Sequence, residues 1–309
     1  MSAVAGMLVV DKPRGPTSHD VVQRVRRAFR TRSVGHAGTL DPMATGVLVV
    51  AVGEATKLVA HLAADDKVYE ATVTLGTATD TLDAEGAITA TAEVPPLSEA
   101  AVRPVLAGFV GPLAQRAPRV SAIKVQGRAL HERVRRGEHV EAPVRQVWVH
   151  SIDLLAVDGS ELRLRVHSGK GFYVRSLARD VAEALGTVGH LSALRRTRSG
   201  AFDLDQAVDL ASIERAAVGD ETMRARLGSA LVSLEGASAG MPQVPLTDQG
   251  VDDARHGRPV LAERTTAAEL PESPPDAAVA LLDPEGRLVA LARRDGSRLR
   301  VVRGIRQSC

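Results

Sequence analysis

Six consecutive apolar residues, Val47-Leu48-Val49-Val50-Ala51-Val52, follow directly on a loop that reads Gly35-His36-Ala37-Gly38-Thr39-Leu40-Asp41-Pro42-Met43-Ala44-Thr45-Gly46. A short, uninterrupted apolar run bounded by glycine is the pattern of a fully buried strand. Such a strand needs a layered sheet around it. The loop before it carries one carboxylate, Asp41, in a turn of Gly, Thr and Pro. An Asp-Pro pair is ordinarily a turn initiator whose side chain bonds nearby backbone N–H groups. Three glycines, a histidine and an aspartate within twelve residues, hung on a rigid strand, point instead to a functional loop. The sequence holds no Walker loop, dinucleotide glycine pattern, Cys-x-x-Cys or His-Glu-x-x-His. Asp41 is therefore the candidate reagent.

The rest of the chain supports a mixed α/β or α+β sheet, because helical and alternating segments interleave without a regular repeat. Thr17 or Ser18 caps a helix with Asp20 in its first turn and Val21, Val22, Val25 and Phe29 as its buried stripe. Residues 67 to 75 alternate, so that Tyr69, Ala71, Val73 and Leu75 share the inner face. Leu162, Leu164 and Val166 form a similar strand. Val174, Leu177, Ala178, Val181 and Leu185 mark a helix stopped by Gly186. Residues 235–242, Glu-Gly-Ala-Ser-Ala-Gly-Met-Pro, read as a small-residue linker. Beyond it a helix from Thr247 to His256-Gly257 and strands at about 278–283, 287–292 and 298–303 make a compact β-rich unit.

At 309 residues the chain is long for one domain and comfortable for two. Its apolar runs reach six residues, against the roughly 20 that span a bilayer, and its N-terminus lacks a secretory layout. Cys309 is the single cysteine, which excludes an intrachain disulfide and suits a reducing cytoplasm. The net charge of +2 hides local basic clusters: Lys12, Arg14, Arg24, Arg26, Arg27, Arg30, Arg32 and Lys57; Arg133, Arg135 and Arg136; Arg195, Arg196 and Arg198; and Arg293 to Arg306. Phosphate neutralisation needs such patches rather than a high total.

The run G-H-A-G-T-L-D-P-M-A-T-G-V-L resembles the catalytic motif of the bacterial tRNA pseudouridine synthase B family. Further matches follow in order: Asp11-Lys12-Pro13-Arg14-Gly15-Pro16-Thr17-Ser18, Lys67-Val68-Tyr69-Glu70, Thr79-Asp80-Thr81-Leu82-Asp83-Ala84-Glu85-Gly86, Ser121-Ala122-Ile123-Lys124, the segment Gly171 to Asp180, and the segment Gly189 to Thr197. The resemblance covers about residues 7 to 205. It implies the pseudouridine-synthase fold with a largely antiparallel mixed central sheet, and, more weakly through His256-Gly257-Arg258-Pro259, a PUA-like RNA-binding domain at residues 243–309 behind a catalytic domain at 1–234. The activity implied is isomerisation of uridine-55 to pseudouridine in the T loop of tRNA, with the base flipped out of its stack, no cofactor and no metal. The partner is the T-arm stem-loop, and the enzyme a cytoplasmic monomer with no membrane association.

The resemblance assigns catalysis to Asp41, with Arg175 holding its carboxylate and Tyr69 stacking on the base. It places Tyr173 and Leu194 in the pocket wall and His36 in the space the flipped base vacates. Attack at C1′, attack at C6 and removal of a ribose proton are all open to a lone carboxylate. Two departures from the family stand out: Phe172 replaces a small threonine, and Val120 replaces an aromatic. The rival readings are an RNA-folding chaperone or an RNA-binding module using the same groove. A hydrolase built on Gly236-Ala237-Ser238-Ala239-Gly240 is the weakest, since no strand precedes the serine and no helix start follows it.

Overall fold

The computed structural model describes residues 4–306, apart from 64, 122–123, 126–127, 131–135, 137–141, 268 and 273–276. Ala122, Ile123, Arg133, Arg135 and Cys309 thus lie outside the described residues. Among those described, ten strands form one mixed sheet. They are β1 (Gly6–Lys12), β2 (Val34–His36), β3 (Thr45–Val52), β4 (Lys67–Leu75), β5 (Gly111–Arg116), β6 (Val144–Asp158), β7 (Glu161–Ser168), β8 (Gly189–Ser199), β9 (Phe202–Asp203) and β10 (Val208–Asp209). The order is β10-β1-β3-β8-β4-β7-β6-β5, with β2 beside β3 and β9 beside β8. Only the β1–β10 and β3–β8 pairs are parallel, so the sheet is largely antiparallel, as the resemblance implies.

One face of the sheet carries α1 (Ser18–Ala28), α2 (Glu99–Ala107), α3 (Val174–Ala184), α4 (Leu210–Ala217) and α5 (Glu221–Ser229). The cap expected for α1 is a full capping box: Thr17 accepts from the Asp20 N–H, and the Asp20 carboxylate accepts from the Thr17 N–H. Gly186, two residues beyond α3, takes φ +80°, the left-handed turn that ends a helix.

The apolar run in β3 is buried on both sides for a specific reason. Leu48, Val50 and Val52 pack with Val21, Val22 and Val25 of α1. Val47, Val49 and Ala51 point the other way and pack, with Met7 and Val9 of β1, against Ala280, Leu288, Leu291 and Ile305 near the C-terminus. Ala280, Leu288 and Leu291 belong to a second sheet of β11 (Gln243–Pro245), β12 (Val260–Leu261), β13 (Val279–Leu282), β14 (Leu288–Asp295) and β15 (Arg298–Gly304), ordered β11-β13-β14-β15-β12, and Ile305 directly follows β15. The helix α6 (Asp248–Arg255), capped by Thr247 as expected, packs on it. The segment read as a linker is ordered: Leu234–Ser238 is a helical turn capped by Ser233, with Ala237 in the shared core. The Ser238 hydroxyl is buried and donates to the Glu235 carbonyl at 3.2 Å, which leaves no exposed nucleophile elbow there.

Candidate active site

The Asp41 loop lies where β3 begins, beside its only two parallel register pairs with β8, Thr45–Arg195 and Gly46–Arg196. It is pinned from several sides. Ser18, at the start of α1, donates its hydroxyl to the Leu40 carbonyl (2.9 Å) and accepts from the Leu40 N–H (2.8 Å). The Gly15 N–H and the Lys12 ammonium both donate to the Pro42 carbonyl, at 2.9 and 3.3 Å. Lys12 also donates to the carbonyls of Pro13 (2.9 Å) and Pro16 (2.8 Å). From β8, Arg196 donates to the carbonyls of Gly38 (3.1 Å), Thr39 (3.5 Å) and Val47 (2.7 Å). Gly38 and Gly46 adopt φ +108° and +96°, which explains the glycines. A Cβ on Gly46 would stand 2.1 Å from the Arg196 carbonyl oxygen.

So fixed, Asp41 reaches Arg175 in the first turn of α3, with Oδ2 at 2.9 Å from Nε. The approach is off the N–H axis, because Nε has no aligned acceptor, and the contact is an ion pair rather than a hydrogen bond. The Arg175 side chain is 6% exposed and that of Asp41 34%. Arg175 is itself held by the carbonyls of Thr81 (2.9 Å) and Val120 (3.0 Å) and by Asp83 Oδ2 at 3.4 Å. Asp83 is buried and accepts from Thr81 Oγ1 (2.6 Å) and the Glu85 N–H (3.1 Å). The Val120 departure therefore keeps a role that any residue type can fill, since it acts through its backbone.

A cavity of about 260 Å³ opens onto this pair, lined by Asp41, Tyr69, Tyr173, Arg175 and Leu194, with Phe172, Lys67 and Arg196 among its other walls. Five of the six residues singled out in the sequence thus converge. His36 does not line the cavity. It closes β2 opposite Val50, and its Nδ1 is buried without a hydrogen-bond partner. Burial, then the charge of Arg196, lowers its pKa, so it is neutral near pH 7. Burial pushes the Tyr173 phenol up.

Sequence reasoning assigned Lys12 and Arg196 to phosphate-binding patches, and the structure corrects this. Both are fully buried and bond backbone carbonyls of the Asp41 loop, out of reach of a solvent-facing phosphate. It also overlooked Gln115, which is 2% exposed and clamps the Tyr173 backbone by accepting from its N–H (2.9 Å) and donating to its carbonyl (3.0 Å). Lys67, part of the Lys67-Val68-Tyr69-Glu70 motif, carries no site signal of its own in the sequence. It lines the cavity, donates to the Ala63 (3.0 Å) and Asp65 carbonyls, and burial with Arg196 nearby lowers its pKa to about 8.

Residues 26–174 match the family model of the TruB family pseudouridylate synthase N-terminal domain, and residues 175–237 that of the tRNA pseudouridylate synthase B C-terminal domain. The chain belongs to the TruB family. The two TruB matches meet inside the cavity, one supplying Asp41, Tyr69 and Tyr173, the other Arg175 and Leu194. TruB relatives named tRNA pseudouridine synthase B include that of Corynebacterium aurimucosum, 44% identical over 306 residues, covering 96% of this chain and 95% of that protein. That of Mycobacteroides abscessus is 42% identical over 302 residues, covering 95% and 94%. Among solved structures, a Cbf5-Nop10-Gar1 complex matches with TM-score 0.75 at 27% identity, covering 96% of this chain and 83% of that one. An H/ACA RNP bound to a substrate RNA containing 2′-deoxyuridine matches with TM-score 0.74 at 26% identity, covering 97% and 85%.

Proposed function

We propose that this TruB-family chain isomerises uridine-55 in the T loop of tRNA to pseudouridine. The observation that carries the reading is the Asp41–Arg175 pair at the mouth of a cavity walled by Tyr69, Tyr173 and Leu194. The reaction breaks the C1′–N1 bond, rotates the uracil and forms C1′–C5; N1 ends protonated and the C5 proton leaves. Atoms and electrons balance, so one carboxylate suffices to start and finish it. Arg175 places a fixed cation against the Asp41 carboxylate and orients it. The pinned loop holds the carboxylate in position before substrate arrives, and such preorganisation is where enzymes gain most. Tyr69 supplies an aromatic face for the base and Leu194 an apolar wall.

A cavity of this size admits a single nucleoside, so the uridine leaves its stack to enter it, at a cost of a few kcal/mol. His36 occupies the position left behind. Exposed Arg14, Arg27 and Arg32 on the catalytic domain, and Arg300 and Arg303 on the PUA-like unit, contact tRNA phosphates. The test is incubation of the protein with unmodified tRNA transcript, followed by mapping of pseudouridine at nucleotide resolution. One modified site in the T loop is expected from the wild type, and none from Asp41→Asn, which keeps its tRNA affinity. Product elsewhere, or turnover by Asp41→Asn, refutes the assignment.

A further inference from the structure

Outside the cavity, the fold brings together three side chains that no sequence motif links: Asp66 just before β4, His150 in β6 and His167 in β7. We propose that they form a binding site for a divalent transition-metal ion of the zinc class. One potential ligand atom from each lies within 4.8 Å of the others. Asp66 Oδ2 stands 3.0 Å from His150 Nε2 and 3.8 Å from His167 Nε2. Tetrahedral zinc with bonds of about 2.0–2.1 Å separates its ligand atoms by roughly 3.4 Å, and the two measured spacings bracket that value. Two imidazoles and one carboxylate select zinc, cobalt or nickel over magnesium or calcium, which prefer all-oxygen shells.

The local backbone builds this arrangement. The register between β6 and β7 passes from Val149–Ser168 to Ser151–His167, leaving His150 as the extra residue of a β-bulge. A bulge re-aims a side chain that strict alternation would send elsewhere. Here it brings the His150 ring to 4.4 Å from the ring of His167, tilted by 35°. Asp66 is held from behind, its carbonyl accepting from the Gly200 N–H at 2.8 Å. Arg198, an exposed residue, places Nη2 3.4 Å from His167 Nε2, and an ion bound there displaces that contact. Two imidazoles and one carboxylate leave the fourth coordination position to water.

The site stands beside the catalytic cavity without entering it. Asp66 precedes Lys67, and a Cβ on Gly169, another cavity residue, would be 3.6 Å from Asp66 Oδ1. Trp148, two residues from His150, is the only tryptophan in the chain and is exposed. It reports occupancy directly. The full-length protein is titrated with CoCl2 by tryptophan fluorescence and visible absorption, and with ZnCl2 by calorimetry. Expected are one saturable equivalent, the visible bands of a low-symmetry cobalt centre with nitrogen ligands, and at least about tenfold weaker binding in His150→Gln and in His167→Gln. His256→Gln, far along the chain beside Asp252, leaves binding unchanged. No stoichiometric binding by the wild type, or wild-type affinity in either ligand variant, overturns the proposal.

Discussion

Replacing Arg175 with methionine separates what this guanidinium does for the fold from what it does for Asp41. The side chain is 6% exposed and meets two carboxylates and two carbonyls. Methionine fills the space but leaves the buried Asp83 carboxylate, 7% exposed, facing an uncharged thioether. Removing one partner of a buried ion pair costs about 3–5 kcal/mol, most of it the penalty of the charge left behind. The unpaired Thr81 and Val120 carbonyls add about 1 kcal/mol each.

Arg175→Met should therefore lose about 5–7 kcal/mol of stability, read as a lower guanidinium chloride midpoint at unchanged slope. Adding Asp83→Asn removes the stranded charge while an amide oxygen still accepts from Thr81 Oγ1 and the Glu85 N–H. The double variant should recover about half of the loss. Its pseudouridine formation should stay down by at least about a hundredfold, because Asp41 still lacks its cation and its fixed position. A double variant as unstable as the single one shows that the Asp83 charge is not what Arg175 neutralises. A stable and active double variant shows that Asp41 works without Arg175. Either result refutes the reasoning.

Three further outcomes are expected. Gly46→Ala combines φ +96° with a Cβ 2.1 Å from the Arg196 carbonyl, so β3 and β8 must separate by about 1 Å and take the Asp41 loop with them; thermal melting should fall and turnover should drop about a hundredfold, and unchanged values would remove the loop-pinning argument. Lys12 and Lys67 have pKa values lowered by burial to about 8, while the unfolded chain holds those protons up to about 10.5. Unfolding free energy should thus rise between about pH 8 and 10.5 and be flat just below, by up to about 3 kcal/mol per lysine; chemical denaturation across that range checks it, with a smaller rise in Lys12→Met. Deleting residues from 243 onward bares Met7, Val9, Val47, Val49 and Ala51, so the truncated protein should lose solubility and stability as well as RNA affinity, and a truncation as stable as the full chain would contradict the shared core.

Much of the site was legible because it is local. The Gly-rich Asp41 loop, the inward Tyr69, and the Tyr173-Val174-Arg175 helix start are each written within a few residues. Periodicity placed Tyr69 on its strand and Arg175 at its helix start; the family resemblance named the six residues, and five of them meet in one cavity. What stayed hidden is what depends on partners distant in the chain. Lys12 and Arg196 have the same charge as any surface cation, and only burial against loop carbonyls distinguishes them. The side chain of Gln115 and the cluster of Asp66, His150 and His167 carry no spacing signal either, because strand pairing and a bulge assemble them.

Alternation, capping and glycine placement follow from steric and hydrogen-bonding rules that act over one or two turns of chain. On those rules the amino-acid sequence alone determined a mixed sheet, a glycine-rich loop carrying one carboxylate before a fully buried strand, and a β-rich unit at the end. Tertiary structure decided what covers each face of that strand: α1 on one side, and on the other the C-terminal sheet packed without a free linker. Hydrophobic burial has no direction. An apolar face records that something must cover it, and only the folded chain says what.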